Sequence, residues 1–141
     1  MNSDSALPPY GYREIEHTAD WELEVWAPDL QTLLEQAARG MYALSGISLE
    51  NSAAQRRELA LQADDPESLL VLFLGELLHF IERENLGFDE FQIELDGYLL
   101  HARLSGTPLS KIDKEIKAVT YHNLQVRRSA TGCRVNIVFD V

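Results

Sequence analysis

Three stretches of this sequence carry side chains able to do chemistry. The first is His17-Thr18-Ala19-Asp20, set between two alternating segments. A strand end or bulge can turn such consecutive side chains toward one point. The second is the ending Val138-Phe139-Asp140-Val141. Phe139 continues an apolar alternation, which sends Asp140 to the opposite face. The α-carboxylate of Val141 follows one residue later. Carboxylate oxygens held close together repel unless a proton or a cation joins them, and hard divalent cations take such oxygens. If Asp20 and Asp140 lie on neighbouring strands, the two side chains and the terminus form an oxygen-rich metal site. The third stretch, Lys114 to His122, mixes titratable groups with a strand pattern, and Lys117 and His122 in it can meet an anion or a partner. Each stretch also has a purely structural reading. Asp20 can cap an Asx turn while His17 is a satisfied buried imidazole. Asp140 can be a solvated residue of a frayed end. Lysine is common on solvated edge strands.

Composition bounds the chemistry around these groups. A length of 141 residues suits one domain with a real core. The net charge of −11 argues against nonspecific binding to nucleic acid, which needs clustered Lys and Arg. The charge is uneven. Residues 1–100 hold 5 basic and 20 acidic side chains, a net of −15, whereas residues 101–141 net +4. That distribution suits either steering onto a basic protein partner or plain solubility. Cys133 is the one cysteine, so no internal disulfide or thiolate cluster forms, and it reads as a small buried apolar residue. The first twelve residues have neither the basic start nor the apolar centre of a signal peptide, and no apolar run approaches a membrane span. The expectation is a cytoplasmic protein and a monomer.

The elements that must position these groups follow from periodicity. Tyr12–His17 and Trp21–Trp26 read as two strands after a flexible arm over residues 1–11. Asp29 is a suitable N-cap for a helix whose stripe is Leu30, Leu33, Leu34, Ala37, Met41 and Leu44, ended by Gly46. Residues 56–63 alternate as a strand. Asp65, Pro66 and Glu67 make a strong helix start, and the helix runs to about Asn85, apolar on most sides. Gly75 inside it costs about 1 kcal/mol relative to Ala, which a close backbone contact would explain. Phe91–Leu95 and Leu100–Leu104 form a hairpin around Asp96-Gly97. Ala118–Arg128 reads as a further strand, and Val135–Phe139 as the last. The order is β-β-α-β-α-β-β-β-β. Helices and strands do not alternate regularly, which argues for an α+β fold with a mostly antiparallel sheet layered with two helices.

Taken together and in this order, Glu16–Asp20 (EHTAD), Leu69–Glu82, Glu115–Val126 (EIKAVTYHNLQV) and the ending FDV resemble the archease family, over nearly the whole chain from Tyr12. The main departure is Trp21, where a smaller or aliphatic residue would follow the aspartate, a change that bears on access to the site. The resemblance implies an α+β barrel-sandwich with two helices, spanning 12–141 as one domain. It implies a protein cofactor, without catalytic residues of its own, of the GTP- and manganese-dependent RNA ligase that joins tRNA halves and repairs broken RNA. Such a cofactor speeds formation of the ligase's covalent guanylate and allows multiple turnover. The ligands the resemblance implies for a divalent ion (calcium, magnesium or manganese) are Asp20, Asp140 and Val141. The family's functional lysine maps to Lys117, and His17, Tyr121 and His122 join it as partner-facing residues. RNA is met only through the ligase.

Two other functions fit the same residues. A stand-alone metal-dependent phosphoesterase could use Asp20, Asp140, His17 and His122. A chaperone-like scaffold would use the carboxylates only to stabilise strand ends.

Overall fold

The structure is a computed structural model that describes residues 7–16 and 20–141. His17, Thr18 and Ala19 lie outside the described residues. The first two strands, β1 (Gly11–Ile15) and β2 (Trp21–Ala27), precede helix α1 (Leu30–Ser45). Then come β3 (Ser48–Leu49), β4 (Gln55–Gln62) and helix α2 (Pro66–Glu84). The remainder is β5 (Leu86–Asp96), β6 (Leu99–Lys111), β7 (Ala118–Val119), β8 (Arg127–Ser129) and β9 (Gly132–Asp140).

Both helices are delimited as their sequences require. The Asp29 carboxylate accepts from the Thr32 backbone N–H at 2.7 Å, and Asp65 does the same for Ser68 at 2.7 Å. Each satisfies a first-turn donor that has no partner within the helix. Pro66 opens α2, where its missing N–H costs nothing. Gly46 ends α1 in the left-handed region, and Asn85 ends α2 likewise.

All the strand pairings are antiparallel. One sheet has the order β1-β2-β9-β7, with β8 also on β9. The other has the order β3-β6-β4, with β5 on the far side of β6. The helices pack between the two sheets. Helix α1 meets β1, β2 and β9 on one side and β5 on the other, and α2 meets β4 and β5 as well as β7. This explains why α2 is apolar on most sides: Leu69, Leu70, Phe73, Leu74 and Leu77 are wholly buried. The arrangement is the α+β, sandwich-like fold expected, built from two sheets.

Four local expectations need correction. Two strands, β3 and β4, lie between the helices where one was expected, because β3 is a two-residue pairing with the end of β6 too short to show a period. Ala118–Arg128 is not one strand: only Ala118–Val119 and Arg127–Ser129 pair, and a turn lies between them. Asn123 there has φ 51°, and the Leu124 N–H closes onto the Tyr121 carbonyl at 3.1 Å. Strands β5 and β6 are much longer than their clean alternation. A register shift between Phe88 and Glu90 breaks the period, so Leu86, Gly87 and Phe88 are buried in succession. Gly75 makes no close backbone contact, since a Cβ built there meets nothing within 4 Å. It faces open space.

Candidate functional site

The end of β9 is flanked on both sides. Along one side β2 sets Trp21 opposite Phe139 and Glu22 opposite Val138. Along the other, β7 sets Ala118 opposite Asp140 and Val119 opposite Phe139. Asp20 immediately precedes Trp21, where the observed pairing ends; one further step of the same register would set it opposite Asp140. Directly opposed residues of antiparallel strands have Cα atoms about 4.5–5.5 Å apart. Alternation also fixes the face. Leu23, Val25, Ile137 and Phe139 fill the core, so Asp140 falls with Glu22 and Asn136 on the outer face. Both aspartates are exposed.

Two further residues join this edge. The Lys117 backbone N–H donates to the Asp140 carbonyl at 2.8 Å, which ties the lysine's segment to the end of β9. The Val141 side chain is partly buried against the core, which anchors the last peptide. The backbones of Lys117 and Asp140 therefore adjoin at one sheet edge, and Asp20 lies one residue beyond the last β2–β9 pair. Tyr121 and His122 stand on the adjoining turn. The Thr120 backbone N–H and hydroxyl both donate to the Val138 carbonyl at 3.0 Å, and the His122 N–H donates to the Thr120 hydroxyl at 3.3 Å. The turn presents Tyr121, 59% exposed, and His122 to solvent. His17 lies outside the described residues.

Among the described residues, no group of three or more His, Cys, Asp and Glu side chains gathers to hold a metal ion. The donors at this edge differ in kind. They are two aspartates with a main-chain carbonyl and the α-carboxylate of Val141, all hard oxygens, and that donor chemistry fits a hard divalent cation.

Trp21 shapes the approach to this edge. It is half-buried, and the Lys114 ammonium lies 5.8 Å from its ring centre. That spacing allows a cation–π contact between β2 and the segment leading to Lys117. Farther along the same face, the Glu24 side chain accepts from Arg13 at 2.6 Å and Arg134 at 3.3 Å. This triad crosses β1, β2 and β9 and fixes their register. Burial pushes the Cys133 thiol up, which keeps it protonated and unreactive.

Sequence reasoning missed one feature. A cleft of about 440 Å³ lies between α2 and the segment 112–119, and Lys117 lines it. Its one sequence signal is Gly75.

With this geometry in view, the sequence matches the family model described as the Archease protein family over residues 12–141. The chain belongs to the archease family. A Methanosarcina mazei protein archease is 34% identical, the alignment covering 96% of this chain and all of the relative. One from Methanosarcina barkeri is 31% identical over 92% of this chain and 95% of its own length. The crystal structure of a Thermotoga maritima protein, described as an archease and possible chaperone, superposes with a TM-score of 0.69 at 25% identity. It covers 92% of this chain and 96% of the other. A solution structure from Methanobacterium thermoautotrophicum, 22% identical with a TM-score of 0.65, shares the fold. No helix of the described archease chain is long and apolar enough to cross a membrane.

Proposed function

We propose that this archease activates a GTP-dependent RNA ligase of tRNA splicing and RNA repair. It does so through a divalent-cation site made by Asp20, Asp140 and the α-carboxylate of Val141. One observation supports the reading: the β2–β9 register ends with Trp21 opposite Phe139, one residue before Asp20 and Asp140, at the edge where the Lys117 N–H is bonded to the Asp140 carbonyl. On this reading the next step of the pairing gathers acidic groups from residues 20 and 140–141, where like charges favour a bound cation.

When bound, the cation supplies a positive centre for phosphate oxygens. The chain's own residues do the rest. Asp20 and Asp140 present the oxygens, the partly buried Val141 side chain fixes the tail, and Lys117 offers a neighbouring ammonium to the partner or to phosphate. The role is that of a protein cofactor, not a self-sufficient enzyme. The test is guanylylation of the purified ligase with wild-type protein, Asp20→Ala, Asp140→Ala and the double variant. Loss of stimulation in folded variants is expected. A folded double variant with full stimulation removes the carboxylate edge from the account. Lys117→Ala separates a second role, since metal binding retained with stimulation lost assigns the lysine to partner or phosphate contact.

A chaperone-like function is the second reading, favoured by the description of the Thermotoga relative as a possible chaperone. On that reading chelation lowers Tm but leaves ligase guanylylation unchanged, and refolding of a denatured client improves when the protein is added.

A further inference from the structure

The cleft between α2 and the segment entering β7 has a volume of about 440 Å³. That is within the range of ligand clefts, about 300–1,000 Å³. Val71, Gly75, Leu78 and Glu82 line one wall at helical spacing, and Ile112 and Val119 belong to the other. Gly75 sets its depth. A Cβ there meets nothing within 4 Å, so any larger residue would project into the space. Glycine weakens a helix interior, and here no packing contact offsets that loss. The apolar surface also extends past the cleft. Leu72, three residues before Gly75 and so its neighbour on the helix surface, is 42% exposed, and Ile112 is 39% exposed. Contiguous apolar surface rimmed by polar groups marks an interaction site. The rim here carries Glu82 and Glu115, both exposed, with Lys117 and His79 beside them. Lys117 lines the cleft and its backbone is bonded to Asp140, so the cleft is continuous with the carboxylate edge.

We infer that this cleft seats the ligase itself. An apolar side chain of the partner enters over Gly75, and a lysine or arginine beside it on the partner reaches Glu82 and Glu115. The inference rests on the ligase reading above and adds a separation of tasks: the cleft holds the partner, and the carboxylate edge acts on it. The charge distribution agrees, because the net of −15 over residues 1–100 steers a basic surface toward the molecule.

The experiment measures affinity for the purified ligase by titration calorimetry and guanylylation at saturating concentration. The proteins are wild type, Gly75→Leu, Glu82→Arg and Asp140→Asn, each full-length and checked by thermal melting. Gly75→Leu fills the cleft and should weaken binding about tenfold to a hundredfold, the loss expected for excluding one buried apolar side chain. Stimulation should return at saturation. Glu82→Arg, on an exposed rim position, should weaken binding most at low salt. Asp140→Asn should bind normally and fail to stimulate. Folded Gly75→Leu and Glu82→Arg proteins that bind within twofold of wild type overturn the cleft and leave the ligase reading standing. A wild-type protein that neither binds nor stimulates the ligase overturns both. If Gly75→Leu does not fold, Glu82→Arg decides alone.

Discussion

The carboxylate edge makes a prediction that needs no ligase. Extending the β2–β9 register by one step sets Asp20 opposite Asp140, with Cα atoms about 5 Å apart. Two carboxylates held about 5 Å apart repel by roughly 1 kcal/mol in a water-like dielectric and about 3 kcal/mol at an effective dielectric of 20. Both residues are exposed, so the lower figure applies. Asp140→Asn should therefore stabilise the metal-free protein by about 1 kcal/mol. For 141 residues the unfolding entropy is about 0.3 kcal/mol/K, which makes the gain about 3 °C in Tm. Metal reverses the order. At a hundred times its Kd a ligand adds about 2.7 kcal/mol, or about 9 °C, to the wild type, and Asp140→Asn should lose most of that increment. The assay is differential scanning calorimetry in chelator and in excess calcium, magnesium or manganese. If the variant keeps the full metal-dependent rise, or melts below wild type in chelator, the carboxylates do not form a shared cation site.

Other outcomes follow from the same geometry. Extending the chain past Val141 by a short Gly-Ser tail removes the α-carboxylate from its place and should weaken metal binding in calorimetric titration while leaving the fold's circular dichroism unchanged. Tyr42→Phe removes the hydroxyl that accepts from the buried Phe88 N–H at 3.2 Å. An unmet buried donor costs about 1–3 kcal/mol, so urea unfolding should shift to lower midpoints by that amount. Asp29→Ala should cost about 1 kcal/mol by loss of the α1 cap, or about 3 °C on the same entropy. Asp65 is held below the ordinary carboxylate range foremost by the Ser68 backbone N–H. Its contribution is therefore full above about pH 4, the unfolded value, and vanishes as pH falls through the lower folded value. The stability gap between wild type and Asp65→Ala should close across that acid window; a gap independent of pH would refute the charged cap.

How much of this was legible in the sequence depends on which elements are local. Asp65-Pro66-Glu67 and Asp29 marked both helix starts because capping is a short-range arrangement of side chain and backbone. Asp96-Gly97 marked the β5–β6 turn, with Gly97 at φ 59°. A meeting of residues 20 and 140 was expected from charge and alternation; the register itself ends one pair earlier, at Trp21 and Phe139. The 120–126 stretch misled because its apolar and β-branched residues alternate well enough for a strand. The deciding contact is long-range: Thr120 commits its N–H and its hydroxyl to Val138, and no spacing rule reveals it. The β5 bulge hid half of two strands for the same reason, since two-residue periodicity fails where the pleat slips. Gly75 was noticed, but a helix-interior glycine reads the same whether it admits a neighbour or leaves a hollow.

The position of β9 in its sheet has a consequence for how the molecule is made. This strand, Gly132–Asp140, is the inner partner of both β2 and β7, and the Glu24–Arg134 bridge spans 110 residues of sequence. On the ribosome β1 and β2 emerge long before the strand that completes them, and their apolar faces must wait. Pairing at such separation slows folding, so the half of the molecule bearing the carboxylate edge should consolidate last. A nascent chain stopped before residue 132 would lack the edge altogether, which makes the site a marker that synthesis has passed that point.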